Sequence, residues 1–190
     1  MLRDGNLYPM IKKWNLVKSE KLNFYRVFST RRDISSSPVT GKSHDFYVIE
    51  APDWTNVVAI TPEREIILIK QYRHGVQSLT LEIPGGMVDP GETPLESAKR
   101  ELLEETGYIS DDWIFLGKVH PNPAIQDNTC HTFLAKDAVK IKEPNFEGTE
   151  DIACFVTPVE SIPSLVAEGK ITHSLVISAF YWYYLYNGSR

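Results

Sequence analysis

The sequence predicts an α/β protein in which a mixed β-sheet lies between helices and a β-rich segment precedes it. Three observations support this class. Strand-like stretches flank one well-delimited helix in mid-chain, helices close the chain, and residues 1–50 carry strand-like alternation of polar and apolar positions. We therefore divide the chain into a β-rich segment, residues 1–50, and a main domain, residues 51–190.

The composition is that of an ordinary globular protein. The chain has 190 residues, 42% of them hydrophobic and 24% charged, which suits one domain with at most a small appendage. Its net charge of −5 speaks against a surface for long nucleic acid, because phosphate contacts require basic side chains. The chain has no signal-peptide core, no membrane-length apolar run and no metal-ligand spacing around its two cysteines. We therefore expect a cytoplasmic protein with free thiols and no membrane contact.

The N-terminal segment is predicted to form a hairpin. Polar and apolar residues alternate over parts of residues 17–34, as they do in a half-buried strand. Pro38 and Gly41 then provide turn residues, and residues 44–52 return as a second strand that Pro52 ends.

Strands are also predicted on both sides of the first helix of the main domain. Before the helix, residues 56–60 and 65–71 form apolar runs around a Thr-Pro-Glu-Arg turn, and residues 79–88 form a strand that enters a glycine turn. Beyond the helix we predict, in order, strands over residues 112–120 and 129–138, an acidic loop over 143–152, a strand over 153–159, and helices over 160–168 and 172–186.

The mid-chain helix has clear ends. Thr93 is a good N-cap, Pro94 suits the first helical position, and Glu96 completes a capping box with Thr93. Gly107 supplies a left-handed C-terminal cap. The predicted buried stripe of this helix consists of Leu95, Ala98 and Leu102.

Three carboxylates crowd the C-terminal end of this helix. Glu101, Glu104 and Glu105 lie within five positions, where neighbouring like charges repel one another and the helix dipole is already negative. Arg100 can pair with Glu104 at i,i+4, but it cannot neutralise all three. One interpretation is a solvated charged face. The other is a bound cation such as Mg²⁺, for which carboxylate oxygens are natural ligands.

The spacing around these carboxylates resembles the Nudix box. Gly86 is followed by Glu92, and Glu92 by the run RELLEETGY from Arg100 to Tyr108, so that every fixed position of the box is filled. This box is the signature of hydrolases that cleave a nucleoside diphosphate linked to another moiety. The resemblance implies the Nudix fold, which is an α/β/α sandwich with a mixed sheet, and catalysis with Mg²⁺ or Mn²⁺.

The resemblance also implies roles for residues in and beside the box. Glu101 and Glu105 would be the principal metal ligands, and Glu104 would complete the metal site or orient a metal-bound water. Gly85 would add its backbone carbonyl, since a glycine lets the main chain approach an ion closely. Arg100 would bridge to the neighbouring carboxylates and set their orientation.

Further acidic residues belong to the same prediction. Glu92 either supports the site from outside the ligand set or stabilises the N-terminus of the helix. In the ADP-ribose pyrophosphatase branch of the family, a glutamate from a mobile loop binds metal or activates the water. Glu150 matches that position best, and Glu147 is the reserve candidate. The alternative for both is a solvated acidic loop.

The residues before and after the box indicate this branch. The segment QYR that ends at Arg73 and the segment LEIPGG that contains Glu82 resemble the arrangement in nucleoside diphosphate sugar pyrophosphatases. Arg73 is then a candidate phosphate clamp. Glu82 alternates with apolar neighbours and is predicted to face the active-site cleft. Pro123 lies fifteen residues past Tyr108, at about the place where ADP-ribose hydrolases carry a proline.

The N-terminal segment supports the same branch. In these enzymes it pairs with a second subunit and helps to enclose the nucleobase between aromatic side chains, which implies a homodimer. Phe46 and Trp54 are candidates for stacking on the base, with core packing as the alternative. The sequence departs from the branch at residues 51–53, which read Ala-Pro-Asp where some ADP-ribose hydrolases carry an arginine.

We therefore expect Mg²⁺-dependent hydrolysis of the pyrophosphate bond of ADP-ribose or a related nucleoside diphosphate sugar, giving a nucleoside monophosphate and a sugar phosphate. GDP-mannose, a dinucleoside polyphosphate and a capped RNA end are the other substrates left open. An alternative from a different class is a non-catalytic Nudix-like domain that senses a nucleotide and regulates a partner. Such a domain would be expected to have lost box carboxylates, whereas this chain keeps them all.

Overall fold

The computed structural model describes residues 11–144 and 151–188, which form two compact units. The N-terminal unit comprises the described residues up to Ala51 together with Ala124–Asp127. The main unit comprises Pro52–Pro123 and the described residues from Asn128 onwards.

The N-terminal unit is a three-stranded antiparallel sheet. Its strands, in sheet order, are β1 (Asn15–Phe24), β2 (Ser29–Ser36) and β3 (Ser43–Glu50). The alternation predicted over residues 17–34 therefore belongs to two strands, which reverse at a turn where Tyr25 N–H donates to Phe28 O at 2.8 Å. The sequence pattern did not show this turn because residues 25–28 contain neither glycine nor proline.

An arginine network holds a short loop on this sheet. The Arg31 guanidinium forms ion pairs with Asp33 at 3.1 Å, Glu50 at 3.0 Å and Asp127 at 2.7 Å. Asp127 belongs to the separate segment Ala124–Asp127, so this contact joins chain regions far apart in sequence. Charge-assisted hydrogen bonds of this kind are stronger than neutral ones, and they account for the position of the loop.

The main unit contains the mixed sheet that the sequence predicts. One sheet has the antiparallel order β11-β5-β6, and another has the order β4-β9-β8, in which β4 and β9 are parallel while β9 and β8 are antiparallel. The strands are β4 (Trp54–Ala59), β5 (Glu65–Arg73), β6 (Ser78–Glu82), β7 (Tyr108–Ile109), β8 (Asp112–Val119), β9 (Cys130–Lys136), β10 (Val139–Lys140) and β11 (Ile152–Pro158). β7 and β10 form a short antiparallel pair of their own.

Three α-helices accompany these strands in the described part of the chain: α1 (Pro94–Thr106), α2 (Ile162–Ala167) and α3 (Ser174–Gly188). The helix predicted over residues 160–168 differs from the structure at its start, where Val159–Ser161 forms a 3₁₀ turn. Pro163 has no N–H to complete an α-helical hydrogen bond to the Val159 carbonyl, so the turn before it is closed by Ile162 N–H instead.

The core lies on both faces of the strands. Val57 and Ile67 pack with Leu102 of α1, whereas their neighbours Val58 and Leu68 pack with residues of α3 such as Phe180. Consecutive strand residues point to opposite faces, so fully buried strands read as continuous apolar runs. The helix–sheet–helix layering predicted for the main domain is therefore confirmed.

Within the described residues, the helices are all too short or too polar to cross a membrane.

Candidate active site

Helix α1 begins and ends where its capping residues predict. Thr93 Oγ1 accepts from Glu96 N–H at 3.3 Å, and Glu96 Oε2 accepts from Thr93 N–H at 2.7 Å. At the other end, Gly107 adopts a left-handed φ of 76° and its N–H donates to Leu103 O. These caps place the three box glutamates in the last two turns of the helix.

Arg100 is the centre of the carboxylate cluster. Its Nε and Nη2 donate to the two oxygens of Glu92 at 2.9 and 3.0 Å, and its Nη1 donates to Glu101 at 2.8 Å and Glu104 at 3.2 Å. The i,i+4 pair predicted between Arg100 and Glu104 is present. The hydrogen bond from Arg100 lowers the pKa of Glu92. Glu92 therefore orients Arg100, and Arg100 in turn orients the carboxylates of the helix.

Glu105 is tied to the glycine turn that follows β6. Its side chain is 6% exposed, and its Oε2 accepts from Gly85 N–H at 2.8 Å. The turn itself is held by β4, because Thr55 N–H donates to Gly86 O and Val57 N–H donates to Pro84 O, both at 2.8 Å.

Both glycines of this turn lie in close contact with neighbouring residues. A Cβ at position 85 would lie 2.3 Å from Thr55 O, and a Cβ at position 86 would lie 2.2 Å from Oε1 of Glu101. The first contact is with backbone atoms of β4, whereas the second is with the end of the Glu101 side chain, which a Cβ would displace. The first glycine of the box therefore lets the Glu101 carboxylate lie against the main chain.

The chemistry of these donors fits a hard divalent cation. Glu101, Glu104 and Glu105 offer only oxygens. Among the carbonyls of the turn, those of Pro84 and Gly86 are bonded to β4, whereas that of Gly85 accepts no hydrogen bond from the described residues. In the described part of the chain, no three acidic, histidine or cysteine side chains are already gathered in a form that could hold a metal ion. Arg100 holds Glu101 and Glu104, while Glu105 is bonded to Gly85.

The two predicted loop glutamates, Glu147 and Glu150, lie outside the described residues.

The structure brings Arg73 and Glu82 together. Nε and Nη2 of Arg73 donate to the two oxygens of Glu82 at 2.8 and 2.7 Å, and Thr80 Oγ1 donates to the same carboxylate at 2.6 Å. Burial raises the pKa of Glu82, but the hydrogen bonds from Arg73 and Thr80 outweigh it and leave the pKa below its ordinary value. Glu82 is only 3% exposed, so its carboxylate is enclosed by its partners, and its orientation towards the active-site cleft stays a prediction.

Thr80 is not among the site residues predicted from the sequence. The signal was available, because residues 80 and 82 lie two apart on a strand and therefore share one face of the sheet.

The remaining predicted substrate-binding residues lie in different units. Phe46 belongs to the N-terminal unit, is 42% exposed, and packs edge-on against Trp14 with ring centroids 5.3 Å apart. Trp54 and Pro123 belong to the main unit, where Trp54 is half-buried and forms a β-bridge with Met87, and Pro123 is exposed. Their contact with substrate stays a prediction.

Residues 52–179 match the NUDIX domain. The ADP-ribose pyrophosphatase of Bacillus subtilis (strain 168) is 34% identical over 103 residues, which cover 54% of this chain and 56% of that protein. The methanol dehydrogenase activator of Bacillus methanolicus is 32% identical over 124 residues, covering 65% of this chain and 66% of that protein. The chain thus spans 56% and 66% of the length of these two relatives.

The fold is also that of a solved structure. A crystal structure of an ADP compounds hydrolase matches with a TM-score of 0.83 and covers 96% of this chain and 98% of its own, at 22% sequence identity. At that identity the likeness establishes the fold.

Proposed function

The chain belongs to the Nudix family, and on that basis we propose that it is a hydrolase of the pyrophosphate bond in ADP-ribose or a related nucleoside diphosphate sugar. The products would be a nucleoside monophosphate and a sugar phosphate. The observation that carries this proposal is the complete set of box carboxylates beside the Gly85–Gly86 turn, in which Arg100 holds Glu101 and Glu104 while Gly85 holds Glu105.

Cleavage of a pyrophosphate requires neutralisation of phosphate charge, a water in line with the bond, and an acceptor for its proton. A divalent cation, Mg²⁺ or Mn²⁺, would supply the neutralisation and activate the water. Glu101 and Glu105, with the Gly85 carbonyl, are the residues we assign to hold it. Glu104 is the candidate to orient or deprotonate the water, because its side chain is 52% exposed at the edge of the cluster.

Arg100 and Glu92 serve this site by orientation. The guanidinium makes bidentate contact with Glu92 and contacts both Glu101 and Glu104. These ion pairs reduce the repulsion among the clustered carboxylates and fix the directions of Glu101 and Glu104.

The substrate class is supported from outside the box. The QYR and LEIPGG segments place Arg73 beside Glu82. The names of two of the similar proteins, ADP-ribose pyrophosphatase and ADP compounds hydrolase, agree with an adenosine diphosphate derivative.

A second candidate function is favoured by the likeness to the methanol dehydrogenase activator. In that case the chain would bind or cleave a nucleotide in order to regulate a partner enzyme. The complete carboxylate set favours a catalytic role in this case too.

We further propose that the protein is a cytoplasmic homodimer. Large apolar side chains of the N-terminal unit are exposed on β1, on β3 and on the turn between β1 and β2, and exposed apolar patches mark interaction surfaces. They are Leu16, Val17, Leu22, Phe24, Tyr25, Val27 and Tyr47. A second copy would cover them. The cysteines Cys130 and Cys154 are free thiols, as a reducing compartment allows.

The test is a screen of the purified protein against ADP-ribose, ADP-glucose, UDP-glucose and GDP-mannose, with product identification. We expect AMP and ribose 5-phosphate from ADP-ribose with Mg²⁺ or Mn²⁺ present, no turnover in EDTA, and recovery when the metal is restored. Failure to cleave any of the four compounds with either metal would contradict the proposal. Unchanged turnover in EDTA would contradict the metal assignment alone.

A further inference from the structure

Arg73 does not extend away from the end of its strand but folds back along the neighbouring one. Its backbone lies opposite Ser78 in the β5–β6 register, yet its guanidinium contacts Glu82. Glu82 is four residues further along β6, roughly 13 Å at the rise of a strand. Ser78, Thr80 and Glu82 alternate on one face of β6, so the arginine side chain lies along that face towards the glycine turn.

Glu82 is a fixed anchor for this arginine. It is 3% exposed and lies opposite Ile69, a fully buried residue of β5. A buried carboxylate is costly unless it is paired and hydrogen-bonded, and here Arg73 and Thr80 together satisfy both oxygens. By contrast, the Arg73 side chain is 43% exposed, so its other side faces outward.

The guanidinium has a second edge that Glu82 does not use. The Nε–Nη2 edge contacts Glu82, which leaves three of the five N–H groups, and these donate to nothing in the described part of the chain. The N–H groups of Nη1 and Nη2 along this edge can donate to two phosphate oxygens side by side. Arg100 offers no such edge, because its Nη1 already donates to Glu101 and Glu104.

The Arg73 side chain lies along β6, the strand that leads into the glycine turn. β6 ends at Glu82, and Gly85, three residues later, donates to Glu105 at 2.8 Å. The hydrogen bond to Glu82 raises the pKa of Arg73, and the charge of Glu105 adds to the same shift. Because Glu82 lies three residues before Gly85, it holds the guanidinium at the end of β6 that leads into the turn bonded to Glu105.

We infer that Glu82 and Thr80 are positioning residues, which hold Arg73 so that its outer edge binds the pyrophosphate of the substrate, while Glu82 itself does not touch the substrate. The inference rests on the proposed function for the identity of that substrate. It assigns Glu82 a role through Arg73, in place of direct contact with the nucleotide.

A double-mutant cycle of Glu82→Gln and Arg73→Gln tests this inference. We expect each single variant to raise KM for ADP-ribose about tenfold, as the loss of a charge-assisted hydrogen bond does, with kcat changed less than about threefold. The double variant should be no worse than Arg73→Gln alone. If the double variant instead raised KM roughly a hundredfold, the two effects would multiply. Glu82 would then act on the substrate independently of Arg73, and the inference would be overturned.

Two further variants keep the test decisive. Thr80→Val removes only one hydrogen bond to Glu82, so it should raise KM in the same direction by a smaller factor even if Glu82→Gln fails to fold. Unchanged KM in Thr80→Val, if Glu82→Gln does not fold, would count against the inference. Glu160→Gln is the control. It breaks the Arg64–Glu160 ion pair, whose side chains are 70% and 65% exposed, and should leave KM and kcat unchanged.

Calorimetric titration with ADP separates this inference from the proposed function. ADP carries the diphosphate, and its binding needs no turnover. Suppose that the wild type cleaves none of the screened compounds, but that Glu82→Gln and Arg73→Gln weaken ADP binding equally and the double variant weakens it no further. The positioning role is then supported and the proposed function is contradicted. If the wild type and Arg73→Gln bind ADP equally, the positioning role falls, whatever the wild type hydrolyses.

Discussion

Gly86 lies directly against the Glu101 carboxylate, so the absence of a side chain at position 86 determines where that carboxylate lies. For Gly86→Ala we expect the Glu101 carboxylate to be displaced, because the new Cβ would lie 2.2 Å from its Oε1. The metal concentration for half-maximal activity should rise at least severalfold. Titration of activity with Mg²⁺ measures it. Gly75→Ala is the matched control, since a Cβ there meets nothing within 4 Å, and equal behaviour of the two variants would contradict the prediction.

Glu105 tests the metal assignment most directly. Glu105→Gln keeps an oxygen that can accept from Gly85 N–H but removes the negative charge. We expect turnover to fall by on the order of a hundredfold or more, because the charge that would hold the cation is lost. The thermal midpoint of unfolding should change little. Near-full activity in this variant would show that Glu105 is not a ligand.

Glu82 should make stability depend on acid pH. Its pKa is lower in the folded protein than the ordinary value of 4.5, since the hydrogen bonds from Arg73 and Thr80 outweigh the effect of burial. A carboxyl of this kind stabilises fully above its unfolded pKa, and its contribution is lost as pH falls through the folded pKa.

The free energy of unfolding of the wild type minus that of Glu82→Gln should therefore be constant above about pH 5 and should fall below about pH 4.5. Urea titrations across this range measure the difference. If this free-energy difference increased on acidification, the lowered pKa of Glu82 in the folded protein would be contradicted.

At the scale of elements, the C-terminal end of helix α1 is held by contacts around its cap residue, Gly107. Gly107 has a φ of 76°, and a Cβ there would lie 1.9 Å from Lys142 O. Ile141 N–H also donates to Gly107 O at 2.9 Å, so the segment before the acidic loop is packed against the end of the helix. The glycine is thus required by its backbone conformation and by its neighbour.

Gly107→Ala should lower the free energy of unfolding by more than the roughly 1 kcal/mol of a left-handed alanine. Gly169→Ala is the control, because Gly169 has a similar φ of 69° but open space around it. Chemical denaturation of both variants separates the cost of the left-handed backbone from the cost of the contact with Lys142. Equal losses would show that Lys142 moves aside at no cost.

The strands of the N-terminal unit show where a local sequence pattern does not predict the structure. The polar and apolar alternation of residues 17–34 is present, but it continues across a reversal of the chain that carries no turn residue. The ends of α1 were predicted correctly because each has a capping residue whose preference is local.

At the scale of the whole molecule, the predicted homodimer follows from the exposed apolar side chains of the N-terminal unit. Light scattering should give the mass of a dimer at micromolar concentration. Phe24→Asp, at a position 85% exposed, should shift the mass towards a monomer, since a charge buried in an apolar interface is unfavourable. Val39→Asp, at a loop position 88% exposed, is the control. A wild-type monomer would contradict the proposed homodimer.

The sequence by itself determined the family and the helix that carries its conserved spacing. The spacing from Gly86 to Tyr108, the caps at Thr93 and Gly107, and the neighbouring Arg73 and Glu82 were all readable, because box spacing and capping are properties of adjacent residues. The layered α/β fold followed from the order of strands and helices.

Only the tertiary structure decided which groups face one another. It showed Gly85 bonded to Glu105, Gly86 pressed against Glu101, and Arg73 drawn along β6 to a buried Glu82. These partners are brought together by strand register and by the packing of α1 on the sheet. Hydrogen bonds reach only about 3 Å, so their pairing depends on a backbone position that no local pattern specifies.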